Sequence, residues 1–273
     1  MIEVKNLDFT YPGNSEKTIK NISFSIEKGE IFGFLGPSGA GKSTTQKILI
    51  GILKRYSGKV SVYGSEISEV EGDFYNNIGV SFEFPNLFSK LTGRENLNFF
   101  TSLYKTGKNR TSELLKMVDL SDAADKRVSD YSKGMKMRLN FCRSLVHDPE
   151  IIFFDEPTSG LDPLNGKRIK DIIRGLKEQG KTIFLTTHNM NVADEICDRV
   201  AFIVDGQLNL IDSPRRLKID KGEKSVRLEY QKNSNTFHKD FQLNGIGTNS
   251  EFLNLIQQET IETIHTKEAT LED

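Results

Sequence analysis

The sequence has no tryptophan and only two cysteines, Cys142 and Cys197, in 273 residues. These cysteines lie 55 positions apart and form no C-x-x-C pair. That excludes a disulfide framework and a zinc-finger spacing, and points to a reducing compartment. Net charge is also nearly missing, with 37 Lys and Arg against 38 Asp and Glu. A chain so balanced has no bulk attraction for nucleic acid, so none is expected as a partner. Long apolar runs are absent too. The best, Ile48–Leu53 and Ile151–Phe154, fall far short of the roughly 20 residues that span a bilayer. Met1–Asn6 has no basic stretch leading into an apolar one, so it does not read as a signal peptide. Any membrane role must run through a partner.

What is present looks like an ordinary soluble protein, with 36% hydrophobic and 27% charged residues. The length suits one large domain, or one domain with a small appendage, and needs no staple to hold its core. Ile2-Glu3-Val4 alternates like a strand that ends before Pro12-Gly13-Asn14, and Ile22–Ile26 alternates up to Lys28-Gly29. Ile31–Leu35, Ile151–Phe154 and Thr182–Thr186 are short continuous apolar runs, as for strands buried on both faces. Lys42–Leu53 has helix length. Patterns from Thr92 to about Arg174 are mostly helical, opening on a Thr92…Glu95 capping box. Asp205-Gly206 joins two strand-like runs as a hairpin turn. Strands alternating with helices predict an α/β layer fold.

After about Asp212 the composition turns polar. Ser213-Pro214 reads as a helix cap and first turn, Ser225–Tyr230 and Glu262–Thr266 as weak strands, and Gln231–Asn235 as an exposed loop. Residues 215–273 are expected to form an accessory domain beside a main domain of residues 1–214.

Two motifs carry chemistry. Gly36-Pro37-Ser38-Gly39-Ala40-Gly41-Lys42-Ser43-Thr44 fits G-x-x-x-x-G-K-[ST], directly after a buried strand and opening a helix. Glycines let successive backbone N–H groups turn toward phosphate oxygens, and the helix adds its positive end. Lys42 supplies charge at the outer phosphates, and the Ser43 hydroxyl suits Mg2+. A chance match in a chain this long has odds of about 1%. The second motif is the strand Ile151–Phe154 ending in Asp155-Glu156. Carboxylates at the carboxyl end of such a strand lie where α/β sheets bind ligands. Asp155 suits the metal, and Glu156 suits a general base acting on water.

With these motifs in place, residues 1–215 resemble the nucleotide-binding subunit of ATP-binding cassette (ABC) transporters. Gly36–Thr44 and Ile151–Glu156 match the two Walker motifs, and Tyr11 sits where the family stacks an aromatic on adenine. Tyr131-Ser132-Lys133-Gly134-Met135 resembles the signature, Ser159-Gly160-Leu161-Asp162 the D-loop, and His188 the switch histidine. The resemblance implies a P-loop core with a mainly parallel sheet and an antiparallel β subdomain. It also implies a helical signature subdomain at about 84–148 and a small α+β C-terminal appendage. It implies ATP and Mg2+ as cofactors, with Ser43, Glu83 and Asp155 at the metal, and Glu156 and His188 as catalytic residues. Ser132, Gly134 and Asp162 then meet nucleotide held by a second, head-to-tail copy. Two departures stand out. Lys133 replaces the signature's first glycine, and Glu83 falls where the family has Gln, trading an amide donor for a carboxylate.

Tyr-Ser-Lys-Gly-Met, the short segment before it and the polar C-terminal appendage resemble ATPases paired with separate ABC-2-type permeases. Phe82–Phe88 resembles a fluoroquinolone-type exporter subgroup. The expected location is the cytoplasmic face of the membrane, held there by the permease. Thr263–Asp273 resembles the approach to a final helix, so the chain reads as truncated there. A soluble ABC ATPase of translation or DNA repair is the main rival. It is disfavoured by the single cassette and the absence of zinc spacing or heptads. A kinase or GTPase is disfavoured by the signature and switch positions.

Overall fold

The computed structural model describes residues 1–105, 109–220, 225–232, 235–267 and 271. It divides into two compact units, Met1–Asp212 and Ser213–Asp273.

In the first unit, an antiparallel sheet joins β1 (Ile2–Phe9), β2 (Ile19–Ile26), β4 (Ser57–Val62) and β5 (Ser65–Glu66) in the order β2-β1-β4-β5. Its alternating burial matches the period-2 pattern of Ile22–Ile26. A second sheet runs β10-β9-β3-β8-β7-β6. It comprises β3 (Ile31–Leu35), β6 (Ile78–Ser81), β7 (Ile151–Asp155), β8 (Thr182–Thr187), β9 (Arg199–Val204) and β10 (Gln207–Asp212). All its pairings are parallel except β9–β10. β3, β7 and β8 are buried throughout, as continuous apolar runs demand. Stacked and tilted rings of Phe24, Phe32, Phe34, Phe153 and Phe184 fill the space around the central strands.

Parallel pairing brings the carboxyl ends of four strands to one edge. Leu35 pairs with Thr187, Asp155 with Thr186, and Ser81 with Phe154. The loops after β3, β6, β7 and β8 therefore start side by side.

Helix α1 (Lys42–Leu49) follows β3. The expected helix to Leu53 stops four residues sooner. Gly51 takes φ +75°, and the N–H groups of Ile52 and Leu53 return to the Lys47 carbonyl. Helices α2 (Gly93–Ser102), α3 (Thr111–Met117) and α4 (Lys133–Arg143) lie between β6 and β7. The Thr92 capping box forms in both directions, at 3.1 and 2.8 Å. α5 (Pro163–Glu178) crosses from β7 to β8, and α6 (Met190–Ile196) from β8 to β9. Asp205 and Gly206 both take positive φ, the backbone that a tight hairpin needs.

In the second unit, α7 (Pro214–Asp220) starts at Ser213, whose hydroxyl accepts the Arg216 N–H. A three-stranded antiparallel sheet follows in the order β12-β11-β13, with β11 (Ser225–Lys232), β12 (Asn235–Gln242) and β13 (Thr260–Lys267). Helix α8 (Ser250–Gln258) is capped by Asn249 and sets Phe252 edge-on to Phe241. The expected loop at Gln231–Asn235 is corrected. Gln231 pairs with Thr236 and Lys232 with Asn235, so these residues are strand, while Asn233 and Ser234 lie outside the described residues. Thr263–Lys267 belongs to β13, as the weak strand pattern of Glu262–Thr266 predicts. Of the expected approach to a final helix, 268–270 and 272–273 lie outside the described residues.

Candidate nucleotide-binding site

The loop after β3 is shaped by its glycines. A Cβ on Gly36 would lie 2.2 Å from the Ile203 carbonyl oxygen, so only glycine fits there. Gly41 sits at φ +110° at the start of α1, where a Cβ would strike the Ile19 side chain at 2.7 Å. Lys42 is buried, and its ammonium donates to the carbonyls of Gly36 (2.7 Å) and Pro37 (3.0 Å). An ammonium has three donors, and among the described residues the third is unused.

Across the sheet edge, Asp155 ends β7 and Glu156 follows it, and both are buried. Asp155 Oδ1 accepts from the Ser43 hydroxyl at 3.3 Å and from the Thr186 hydroxyl. Glu156 stands at φ +50°, the left-handed region. Its backbone N–H donates to the Thr186 carbonyl at 3.0 Å. Its carboxylate accepts from the Thr187 hydroxyl (3.1 Å), the His188 backbone N–H (2.9 Å) and His188 Nδ1 (2.7 Å). A carboxylate only accepts, so Nδ1 carries the proton of that bond.

One cleft of about 230 Å³ gathers these groups. It is lined by Ser38, Gly39, Gly41, Lys42, Ser43, Thr44, Glu83, Asp155, Glu156 and His188. Glu83, two residues past β6, thus shares the cleft with Ser43 and Asp155. Three oxygen-bearing side chains, from the first turn of α1 and the ends of β6 and β7, suit a hard cation. Among the described residues no group of three or more His, Cys, Asp or Glu forms a closed metal cage. Mg2+ does not need one, since it keeps waters and takes phosphate oxygens.

Other expected residues lie outside that lining. Tyr11 follows β1, meets Phe9 edge-on at 4.9 Å, and its hydroxyl shares a 3.2 Å hydrogen bond with Thr44. Ser132 caps α4 by accepting the Met135 N–H at 3.2 Å. A Cβ on Gly134 would touch Leu161 at 3.6 Å. Asp162 caps α5, accepting the Asn165 N–H at 3.0 Å and its side-chain amide at 2.6 Å. Those bonds hold the Asp162 carboxyl below the usual carboxylate range. Pro37 and Ala40 belong to the phosphate loop without lining the cleft.

Sequence reasoning missed three supports. Thr186 and Thr187 orient the two carboxylates, although the polar end of the apolar run Thr182–Thr187 was a signal for them. Asn140, on the buried face of α4, donates to the Ser81 hydroxyl (3.0 Å) and the Phe82 carbonyl (2.8 Å), and so holds the segment that carries Glu83. Nothing in local sequence spacing ties residue 140 to residue 82.

Comparison with known proteins agrees with this geometry. Residues 19–159 match the family model described as ABC transporter. Residues 224–268 match the fluoroquinolone efflux ABC transporter C-terminal domain. The chain is 50% identical to a fluoroquinolones export ATP-binding protein of Mycobacterium tuberculosis, over all of this chain and 91% of that one. It is 36% identical to the bacitracin transport ATP-binding protein BcrA of Bacillus licheniformis, over 75% of this chain and 68% of the other. A dimeric ATP-binding cassette, solved in a post-hydrolysis state with ADP and phosphate, superposes with a TM-score of 0.72 at 30% identity. That match covers 78% of this chain and 98% of the other. The chain belongs to the ATP-binding subunits of ABC transporters, ATPases that couple ATP hydrolysis to transport.

Proposed function

We propose that this chain hydrolyses ATP to drive an ABC-2-type membrane permease that exports drugs, with fluoroquinolones as the leading substrate class. The observation that carries the reading is the shared cleft, where buried Glu156 faces the phosphate loop with its carboxylate aimed by Thr187 and His188.

In this reading the loop Gly36–Thr44 wraps the phosphates with backbone N–H groups, and Lys42 exchanges its loop carbonyls for phosphate oxygens. Ser43, Asp155 and Glu83 would hold Mg2+, which would offset charge on the outer phosphates. Glu156 takes a proton from the attacking water, while His188 holds that carboxylate in place through Nδ1, beside the terminal phosphate. Tyr11 stacks on adenine. Ser132, Gly134 and Asp162 face nucleotide held by a second copy, so ATP joins two chains head to tail.

The permease contact is assigned to the surface beyond Glu83. Phe84 is 73% exposed there. Phe88, Phe99 and Phe100 form a ring cluster, and Arg143 lies 5.1 Å over Phe100. Exposed clustered aromatics of this kind mark interaction surfaces. The whole-length likeness to a fluoroquinolone export protein supports the substrate class.

The test co-expresses the chain with a candidate ABC-2-type permease and follows efflux of a fluorescent fluoroquinolone from energised cells. Lower accumulation that depends on Lys42 supports the reading. Efflux unchanged by Lys42→Ala contradicts it.

A further inference from the structure

Glu156 begins a tight turn that ends at Asp162. Its carbonyl accepts the Ser159 N–H at 3.1 Å, and the Thr158 carbonyl accepts the Leu161 N–H at 3.3 Å. Gly160 closes the turn at φ +69°. Its open face is occupied by another element. A Cβ built on Gly160 would stand 3.0 Å from Lys133 Cε, 3.2 Å from Nζ and 3.6 Å from Cδ. The exposed end of the Lys133 side chain therefore lies beside the exposed glycine. Lys133 is the first residue of α4, where the resemblance leads one to expect glycine. Among the described residues its ammonium makes no hydrogen bond or ion pair, so packing of the stem is what the position supplies.

The rest of α4 is anchored. Leu161 packs beside Gly134, Arg138 donates to the carbonyls of Val118 (2.6 Å) and Asp119 (2.9 Å), and Asn140 holds Ser81 and Phe82. Glu156 itself sits in a strained backbone region, which persists only where surroundings fix it from several sides. Its own bonds fix the start of the turn, and Lys133 covers the far end.

We infer that Lys133 is a positioning residue for hydrolysis: its stem clamps Gly160 and so holds the turn that presents Glu156. This inference rests on the ATPase reading. It assigns to Lys133 a mechanical role within its own chain, separate from any effect of its charge on nucleotide.

The test compares steady-state ATPase kinetics of the full chain as wild type, Lys133→Ala and Lys133→Met. Methionine keeps the stem out to the Cε position and drops the charge. Lys133→Ala should lower kcat about five- to tenfold, that is about 1–1.4 kcal/mol of barrier, with KM for ATP within about twofold. Lys133→Met should restore kcat to within about twofold of wild type. Melting temperatures should agree within about 2 °C, because the site is exposed. The inference is overturned if Lys133→Ala keeps wild-type kcat, if Lys133→Met loses as much as Ala, or if the loss appears in KM. Failure of the underlying reading would look different, since wild type itself would then show no ATPase activity to lose.

Discussion

Lys42 is buried at the mouth of α1 with two of its three donors turned onto loop carbonyls. A charge-assisted hydrogen bond contributes about 1.5–3 kcal/mol. Lys42→Ala should therefore weaken ATP binding about 10- to 100-fold, read by titration with a fluorescent ATP analogue. Unchanged affinity would remove Lys42 from the phosphate site. A second residue-scale prediction concerns His147. It is buried, its Nε2 meets the Ile78 carbonyl at 2.9 Å, and Tyr104 stacks on it at 3.7 Å. Burial holds its pKa below the ordinary value of 6.5, against the opposing pull of the Ile78 carbonyl and Asp148; Lys181 adds to the lowering. The unfolded chain thus takes up this proton at a higher pH than the folded one. Stability should fall as pH drops through 6.5, by at most about 1.4 kcal/mol per pH unit from this group. His147→Phe keeps the ring stack and cannot titrate, so its stability should vary less between pH 7.5 and 5.5. Parallel pH curves for the two proteins, measured by denaturant titration, would contradict this.

At the scale of elements, α4 ties the cleft together. It carries the Ser132 cap at one end and Asn140 toward the other, and Asn140 fixes the strand exit that bears Glu83. Asn140→Ala removes one buried and one partly buried hydrogen bond and should destabilise the fold by about 1–3 kcal/mol. It should also lower affinity for Mg2+-ATP, because Glu83 loses its support. Urea titration and nucleotide binding check both, and unchanged binding would detach Glu83 from the metal reading. Elements were legible where burial is two-sided or a cap is explicit. The runs Ile31–Leu35 and Ile151–Phe154 read as buried strands, Thr92…Glu95 as a helix start, and Asp205-Gly206 as a turn. Legibility failed where an element is covered on one side or not at all. β12 carries no strand signal because all its residues except Phe241 are exposed. α8 was missed although Asn249 caps it and Phe252, Leu253, Leu255 and Ile256 line one face. The phosphate loop and the Asp155-Glu156 pair were readable because they are contiguous. The supports at Thr186, Thr187 and Asn140 depend on sheet order and helix packing, which local spacing does not encode.

At the scale of the molecule, the first unit brings four parallel strand ends to one edge and sets phosphate loop, carboxylates and histidine within one cleft. The second unit, by its own likeness, matches the C-terminal domain of fluoroquinolone efflux transporters. Among the described residues no helix is long and apolar enough to cross a membrane. In the proposed function, Glu156 activates water on ATP held between two copies. The most direct measurement takes the full chain as Glu156→Gln, with Mg2+-ATP, and follows phosphate release and oligomeric state together. Turnover should fall by about 100-fold or more, while the variant accumulates as an ATP-bound dimer that wild type forms only in passing. Phosphate release at the wild-type rate, or a variant that binds ATP and stays monomeric, would contradict the account.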